Sequence, residues 1–145
     1  MIRGYFYTTG IRRRPFVQAL FSFSTLGRSL EVPLLVDTGA DRTILAPIDA
    51  NRLSLDLSSL PPGQPGTGVG GQMNTRLIEA VISLDNFILP LTLTILEPQS
   101  PDRTSLIPSL LGRDIISRFA LFIEERTNRV LLLEPQEVDT LNIPV

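Results

Sequence analysis

The sequence predicts an all-β fold, a small barrel or folded sandwich that carries one or two short helices. Residues 16–24 alternate apolar and polar side chains, with Val17, Ala19, Phe21 and Phe23 on one face. A period of two is typical of a half-buried strand. Similar apolar runs recur along the chain, and turn-forming residues separate them at short intervals. Strands spaced this closely are typical of small barrels and sandwiches.

Size and composition limit the architecture further. The 145 residues, 43% of them hydrophobic, predict one domain over 1–145 with a core over about 16–133. The mean hydropathy of +0.20 is too high for a disordered chain. The formal net charge of -2 provides no strong field for nucleic acid or a membrane surface, so we expect neither as a partner.

Three arginines at 12–14 precede an apolar stretch, an order that also occurs at the start of signal peptides. The alternation over 16–24 favours a strand over a signal, and a cytoplasmic protein is therefore predicted. The arginines are interpreted as a solvated arm, with an anion-binding patch as the alternative. No stretch of the sequence approaches the roughly 20 apolar residues of a membrane span.

The first half of the chain predicts a hairpin, a short strand and a short helix. In order these are a hairpin of 16–24 with 30–36, a strand over 43–45, and a helix from Pro47 to about Leu53. Proline suits the first turn of a helix, and Asp49 favours the positive end of the helix dipole.

A segment rich in proline and glycine, 58–71, separates the two halves and is predicted as a linker or a mobile loop. Three further elements follow it: a hairpin of 74–84 with 87–96, a helix over 115–119 capped by Asp114, and a hairpin of 120–124 with 130–133. Residues 97–108 are predicted as a loop between the first two of these.

The absence of cysteine and histidine excludes several classes of catalytic site. Without cysteine there is no disulfide and no thiolate zinc site. Without histidine there is no Cys-His dyad and no Ser-His-Asp triad. Acid–base chemistry in this chain therefore depends on aspartate or glutamate.

Asp37 is the strongest candidate, because it directly follows the apolar run 32–36. A buried acid costs several kcal/mol, on the order of 3 or more, unless it is paired or used. Gly39 permits a sharp turn after it, and a carboxylate at the end of a rigid strand suits acid–base work. The alternative is an ordinary turn, since Asp-Thr-Gly is also common in loops.

Three segments together resemble the retropepsins, the retroviral-type aspartic proteases. Residues 35–45, LVDTGADRTIL, resemble the catalytic segment of that family. Residues 68–71, GVGG, resemble the glycine tip of its flap. Residues 110–116, LLGRDII, resemble its hydrophobic-hydrophobic-Gly motif and the start of its helix. The resemblance spans roughly 16–133.

The resemblance implies a closed retropepsin-like barrel whose site needs two Asp-Thr-Gly loops, and this sequence has one. It therefore implies a homodimeric aspartic endopeptidase in which two copies of Asp37 face each other across a two-fold axis. Thr38 would stiffen the loops across that axis, and no metal or cofactor is needed. An extended peptide is the implied substrate, under a lid over about 58–73.

The resemblance also assigns roles to particular residues. Catalytic positions are Asp37, Thr38 and Gly39; substrate-binding positions are Ala40, Asp41, Gly68, Val69 and Gly70; supporting positions are Gly112 and Arg113. Asp41 and Arg113 are expected to form an ion pair that braces the loop.

Two other interpretations stay open. The first is a catalytically weak or inactive dimer that binds peptides. It is favoured by Pro61, Pro62 and Pro65, because prolines disfavour the incoming strand of the lid and so predict a loose or disordered lid. A structural β-domain with an incidental turn is the second. For the end of the chain, 141–145 is expected to join an interface sheet between subunits, although Pro144 limits its pairing.

Overall fold

A computed structural model describes residues 1–68, 71–98 and 107–144 of the chain. Its strands are β1 (Ile2–Arg3), β2 (Tyr5–Thr9), β3 (Arg12–Phe23), β4 (Arg28–Val36), β5 (Ile44–Leu45), β6 (Gly66–Gly68), β7 (Gly71–Met73), β8 (Thr75–Leu84), β9 (Phe87–Leu96), β10 (Leu110–Leu111), β11 (Ala120–Glu124) and β12 (Arg129–Leu133). Its α-helices are α1 (Pro47–Asn51), α2 (Arg113–Ile116) and α3 (Pro135–Asp139), and a 3-10 turn covers Leu57–Ser59. The all-β class is confirmed, but the described residues hold three short helices instead of one or two.

The largest sheet has seven strands in the order β2-β3-β4-β10-β5-β9-β8. β8 also pairs with β3, where Phe21 lies opposite Ile82, so the sheet curls back on itself over three residue pairs. The predicted barrel is thus present in a partly closed form. Inward side chains of these strands form one core with Ile115 of α2 and Leu132 of β12. The largest fully buried side chains of the strands are Phe21, Phe23, Leu34, Leu45, Ile82, Leu84, Leu93, Ile95 and Leu111.

The three predicted hairpins are confirmed, as β3 with β4, β8 with β9, and β11 with β12. The period-two pattern located them because one face of each strand packs on the core. Asp85 and Asn128 adopt φ angles of 50° and 56° in the last two turns, where aspartate and asparagine are tolerated best.

The first 14 residues differ from the prediction. Residues 12–14 are not a solvated arm, because they begin β3 and pair with 7–9 of β2. Gly10, at φ 66°, makes the turn between the two strands. β1 pairs with β12, so the folded region begins at Ile2 and not near residue 16.

One helix prediction needs correction, and one further helix was not predicted. Gly112, not Asp114, is the N-cap of α2, which ends at Ile116. Helix α3 was not predicted; Glu134 and Glu137 form a capping box around its first turn. Residues 141–144 lie outside every described strand of the single chain, and residue 145 lies outside the described residues, so the expected interface strand with a second subunit stays a prediction.

Candidate active site

Asp37 occupies the first position after β4, in a loop held by main-chain hydrogen bonds. Its own N–H donates to the Leu111 carbonyl at 3.1 Å, and its carbonyl accepts from the Ala40 N–H at 3.2 Å. Its Oδ1 accepts from the Gly39 N–H at 2.9 Å. The Asp37 side chain is half-buried, while Thr38 and Gly39 are exposed. The loop therefore presents a carboxylate at the surface on a fixed backbone.

The position of β10 between β4 and β5 explains how this loop is supported. Leu110 and Leu111 run parallel to Leu35 and Val36 of β4, and Leu110 also pairs with Ile44 of β5. The strands that enter and leave the Asp37 loop are thus joined through a strand more than 60 residues later in the chain. Val36 and Leu111 are buried in the core at this junction, and Leu35, Ile44 and Leu110 are half-buried beside them.

Gly112 lets the start of α2 approach the loop closely. A Cβ atom at this position would lie 2.4 Å from the Arg42 carbonyl oxygen, so only glycine fits. The N–H groups of Arg113 and Asp114 donate to the carbonyls of Ala40 and Asp41 at 2.8 and 3.1 Å. Gly112 and Arg113 thus contact the loop through their main chains, and their supporting role in a catalytic site stays a prediction.

The Asp114 carboxylate makes a second connection, which sequence reasoning missed. Its two oxygens accept the Thr43 N–H at 2.9 and 3.0 Å, and Oδ1 also accepts the Thr43 hydroxyl at 2.7 Å. The Thr43 hydroxyl in turn accepts the Gly112 N–H at 3.1 Å. Thr43 is buried, so this network closes the loop from its C-terminal side. Its only sequence signal was the occurrence of both residues inside the matched segments.

A third connection, also missed, lies at the start of β10. The buried Ser109 hydroxyl donates to Asp49 Oδ2 at 2.6 Å and accepts the Ala46 N–H at 2.8 Å. The Ser109 carbonyl accepts the Leu35 N–H at 2.9 Å. Asp49, 8% exposed, also pairs with Arg52 at 3.2 Å. Ser109 therefore links α1, β4 and β10 two residues before the Asp37 contact.

The predicted ion pair between Asp41 and Arg113 is wrong for the single chain. Within the described ranges neither side chain has a salt-bridge partner, and both are exposed. Their segments are joined by the main-chain bonds instead. Three or more acidic side chains do not gather anywhere in the described part of the chain, so it offers no metal site of that kind.

The predicted lid is partly described. Gly68 ends β6, which pairs with β7, while Val69 and Gly70 lie outside the described residues. The prolines shorten the incoming strand to three residues, since β6 begins directly after Pro65, but they do not abolish it. The described arms, 66–68 and 71–73, are paired with each other, and the loose or disordered lid stays a prediction.

The base of this hairpin is fixed to β8. The Leu77 N–H donates to the Pro61 carbonyl at 2.9 Å, and the Gly63 N–H donates to the Thr75 carbonyl at 3.0 Å. Arg76 donates to the Leu60 carbonyl at 2.9 Å and pairs with Glu97. The proline-rich segment thus lies along β8 as an irregular extra strand.

Comparison with known proteins agrees with this architecture. Residues 24–115 match the aspartyl protease family. The EIAV protease, solved with the inhibitor HBY-793, is 24% identical with a TM-score of 0.53; the match covers 77% of this chain and 92% of that chain. A retropepsin-like aspartic protease from Rickettsia conorii is 21% identical with a TM-score of 0.56, covering 81% and 88%. At these identities the likeness shows a shared fold. No curated protein matches the chain.

Proposed function

The chain belongs to the aspartyl protease family and has a retropepsin-like fold, and from this premise we propose that it is a homodimeric aspartic endopeptidase. The family and the fold support peptide-bond hydrolysis by aspartate as the proposed reaction. The observation that carries the proposal is the Asp37 loop: a half-buried carboxylate at a strand end, on a backbone tied to β10 and α2. A side chain held in this way is preorganised for acid–base work.

A dimer is required because each chain has one Asp-Thr-Gly segment; Asp139-Thr140 is followed by leucine. A two-fold axis near the loop would place Asp37 beside Asp37 of the partner subunit. Thr38 is exposed next to it, and within the described chain its hydroxyl has no hydrogen-bond partner. It is therefore available to bond across the axis.

The proposed mechanism follows from the electrostatics of two adjacent carboxylates. Such a pair shares one proton, because both groups do not readily ionise in one site. The ionised carboxylate takes a proton from a bound water, whose oxygen attacks the peptide carbonyl carbon. The protonated carboxylate donates to the carbonyl oxygen, and a proton then passes to the leaving nitrogen. Activity is expected to be greatest at acid pH, where the shared proton is retained.

The substrate is proposed to be an extended peptide. Ala40 and Asp41 follow the catalytic turn and would line its path, and the β6–β7 hairpin would cover it, with Gly68, Val69 and Gly70 near the peptide backbone. The anchored base of this hairpin supports the lid role, because it leaves only the end beyond Pro65 free of β8.

The second subunit is proposed to dock through β11. This strand forms an edge of the sheet β1-β12-β11 and exposes Phe122 and Ile123 by 39% and 38%. An open edge with apolar side chains can add a strand from another copy. A cytoplasmic location is also proposed, on the ground that the signal-like residues 12–23 form β3. No helix of the described ranges is long and apolar enough to span a bilayer.

The proposal is tested by incubating the purified protein with a mixed peptide library between about pH 3 and 7. Asp37→Asn is expected to abolish cleavage while the circular dichroism spectrum stays unchanged. Asp85→Asn is the matched control, since it makes the same chemical change in an exposed turn whose φ of 50° asparagine also accepts. Sedimentation of each variant shows whether it forms a dimer.

Cleavage that survives in Asp37→Asn would refute the assigned role. Peptide binding without cleavage, by the parent and the variant alike, would instead favour the peptide-binding module. The observation that favours the peptide-binding module is the short strand β6, which has three residues and begins directly after Pro65.

A further inference from the structure

A groove of about 610 Å³ lies outside the Asp37 loop, and none of residues 37–41 lines it. One wall is formed by the outward faces of β2, β3 and β4. The other wall is formed by α1 and residues 107–109. This volume is in the range of pockets that bind small ligands or short peptide segments.

The middle of the groove is aromatic and apolar. The Phe16 ring stacks on Tyr5 at 6.1 Å between centroids and meets Tyr7 edge-on at 6.2 Å. Tyr7 is 60% exposed, and Ile48 on the opposite wall is 51% exposed. Large apolar side chains thus stay open to solvent on both sides, which is typical of a binding surface.

The two ends of the groove carry opposite charges. Arg14 lines one end of the groove and Glu31 lines the other. Among the described residues, neither side chain has a salt-bridge partner. Arg52 and Asp49 also lie at the Glu31 end, but they pair with each other at 3.2 Å. The net charge is therefore positive at Arg14 and negative at Glu31.

The strand register gives the distance between these ends. Glu31 of β4 lies opposite Leu20 of β3, six positions along the strand from Arg14. At about 3.3 Å per residue the two positions are roughly 20 Å apart. An extended peptide needs about seven residues to cover that length.

We propose that this groove binds an extended peptide segment of about seven residues, with bulky apolar side chains in its middle, a carboxylate at the Arg14 end and a cation at the Glu31 end. The aromatic wall receives the apolar side chains, and the two unpaired charges select the ends. The partner is thus a protein segment recognised away from the Asp37 loop. The inference goes beyond the proposed protease function and does not require cleavage.

Tyrosine fluorescence provides a direct readout, because Tyr5 and Tyr7 are the two tyrosines of the chain and it has no tryptophan. The probe is acetyl-Glu-Leu-Thr-Phe-Thr-Leu-Lys-amide. It contains no tyrosine and no tryptophan, so it adds nothing to the tyrosine emission. The control peptides carry glutamate at both ends or lysine at both ends. Titrations use the full chain with Asp37→Asn, so that hydrolysis does not deplete the peptide.

A saturable change in tyrosine emission is expected with the probe, and about ten-fold weaker binding with either like-charged peptide. Arg14→Glu makes both ends acidic and is expected to shift the preference to the doubly basic peptide. Glu31→Arg makes both ends basic and is expected to shift it to the doubly acidic peptide. Both side chains reach solvent, so the variants should fold, and circular dichroism checks this.

Three outcomes would overturn the proposal. One is the absence of a saturable signal with any of the peptides, and another is a preference that neither substitution changes. The third is tyrosine emission that varies with protein concentration alone, which would mean that a second copy of the chain covers the groove. Loss of protease activity would not affect these titrations, so the two proposals fail separately.

Discussion

The Thr43 hydroxyl donates a hydrogen bond of 2.7 Å to Asp114 Oδ1, across 71 residues of sequence. The same hydroxyl accepts the Gly112 N–H, and the Thr43 N–H donates to the same carboxylate. One threonine therefore joins the end of the Asp37 loop to the start of α2. Because Thr43 and Gly112 are both buried, loss of the Thr43 hydroxyl would leave the Gly112 N–H without its acceptor.

Thr43→Val keeps the side-chain size and removes the two hydroxyl bonds, while the main-chain N–H bond to Asp114 remains. The expected cost is about 1–3 kcal/mol in the free energy of unfolding, measured by urea titration. Thr92→Val is the matched control, because the Thr92 hydroxyl bonds Glu79 on an exposed face. It is expected to cost less than about 0.5 kcal/mol. Equal losses in the two variants would show that the buried network adds nothing beyond an exposed hydrogen bond.

Gly112→Ala should be more damaging than any other glycine substitution near the site. The added Cβ would lie 2.3–2.4 Å from the Arg42 carbonyl group, which cannot move without displacing the loop. We expect a loss of about 3 kcal/mol in thermal or urea unfolding. Gly66→Ala is the control, since a Cβ there meets nothing within 4 Å. A well-tolerated Gly112→Ala would contradict the close approach.

Ser109→Ala should loosen the site locally. The Asp49 carboxylate loses the Ser109 donor and keeps only Arg52, and the Ala46 N–H loses its acceptor, so the start of β10 is no longer fixed to α1. Amide hydrogen exchange should accelerate at Leu35 and Asp37, whose N–H groups donate to residues 109 and 111.

Exchange at β8 and β9 amides should change much less in that variant. Ser22→Ala serves as the control, because Ser22 bonds Ser29 on the exposed face of the first hairpin. Uniform acceleration across all strands after Ser109→Ala would point to global destabilisation and argue against a local role.

Glu124 gives the β11–β12 turn a pH dependence. Hydrogen bonds from Thr127, Arg129 and Arg126, in that order of importance, lower the pKa of its carboxyl from 4.5 to about 2. A depressed carboxyl pKa stabilises the fold fully above the unfolded value. This contribution should therefore be present above about pH 4.5 and lost as the pH falls toward about 2.

Urea unfolding of the parent and of Glu124→Gln between pH 2 and about 6 measures the effect. The parent should lose more stability than the variant over the acid part of that range. If the stabilities of the parent and the variant changed in parallel with pH, the turn would not stabilise the ionised Glu124 carboxylate.

Ile123→Lys should disrupt the proposed dimer. A lysine on the β11 edge opposes pairing with a second copy, so sedimentation should show monomer and cleavage should fall at the same protein concentration. Ile88→Lys is the matched control, because Ile88 is also an exposed isoleucine on a strand. A dimer that persists in Ile123→Lys would place the contact elsewhere.

The sequence predicted those parts of the fold in which the alternation of apolar and polar residues follows the alternation of buried and exposed side chains. Val17, Ala19 and Phe21 alternate because one face of β3 packs on the core, and the other two hairpins were found in the same way. The Asp37 loop was found because an acid after an apolar run is unusual in itself. The pattern could not find residues 1–14, since most of their side chains are exposed on both faces of β2 and early β3.

The connections behind the loop could not be predicted for a different reason. The bonds of Ser109 with Asp49 and of Asp114 with Thr43 join residues 60 and 71 positions apart. Residue types and local spacing carry no information about such pairs. Asp114 was assigned to a cap because aspartate commonly starts a helix, whereas Gly112 takes that position to avoid the Arg42 carbonyl.

The insertion of β10 between β4 and β5 has a consequence for biosynthesis. A ribosome has made the Asp-Thr-Gly segment long before it reaches Leu110, so a nascent chain contains this segment without the strand that supports it. Contacts this distant in sequence are among the last to form. The Asp37 loop can therefore reach its final conformation only after Leu110 and Leu111 have been synthesised, so the proposed catalytic geometry forms late relative to the synthesis of Asp37 itself.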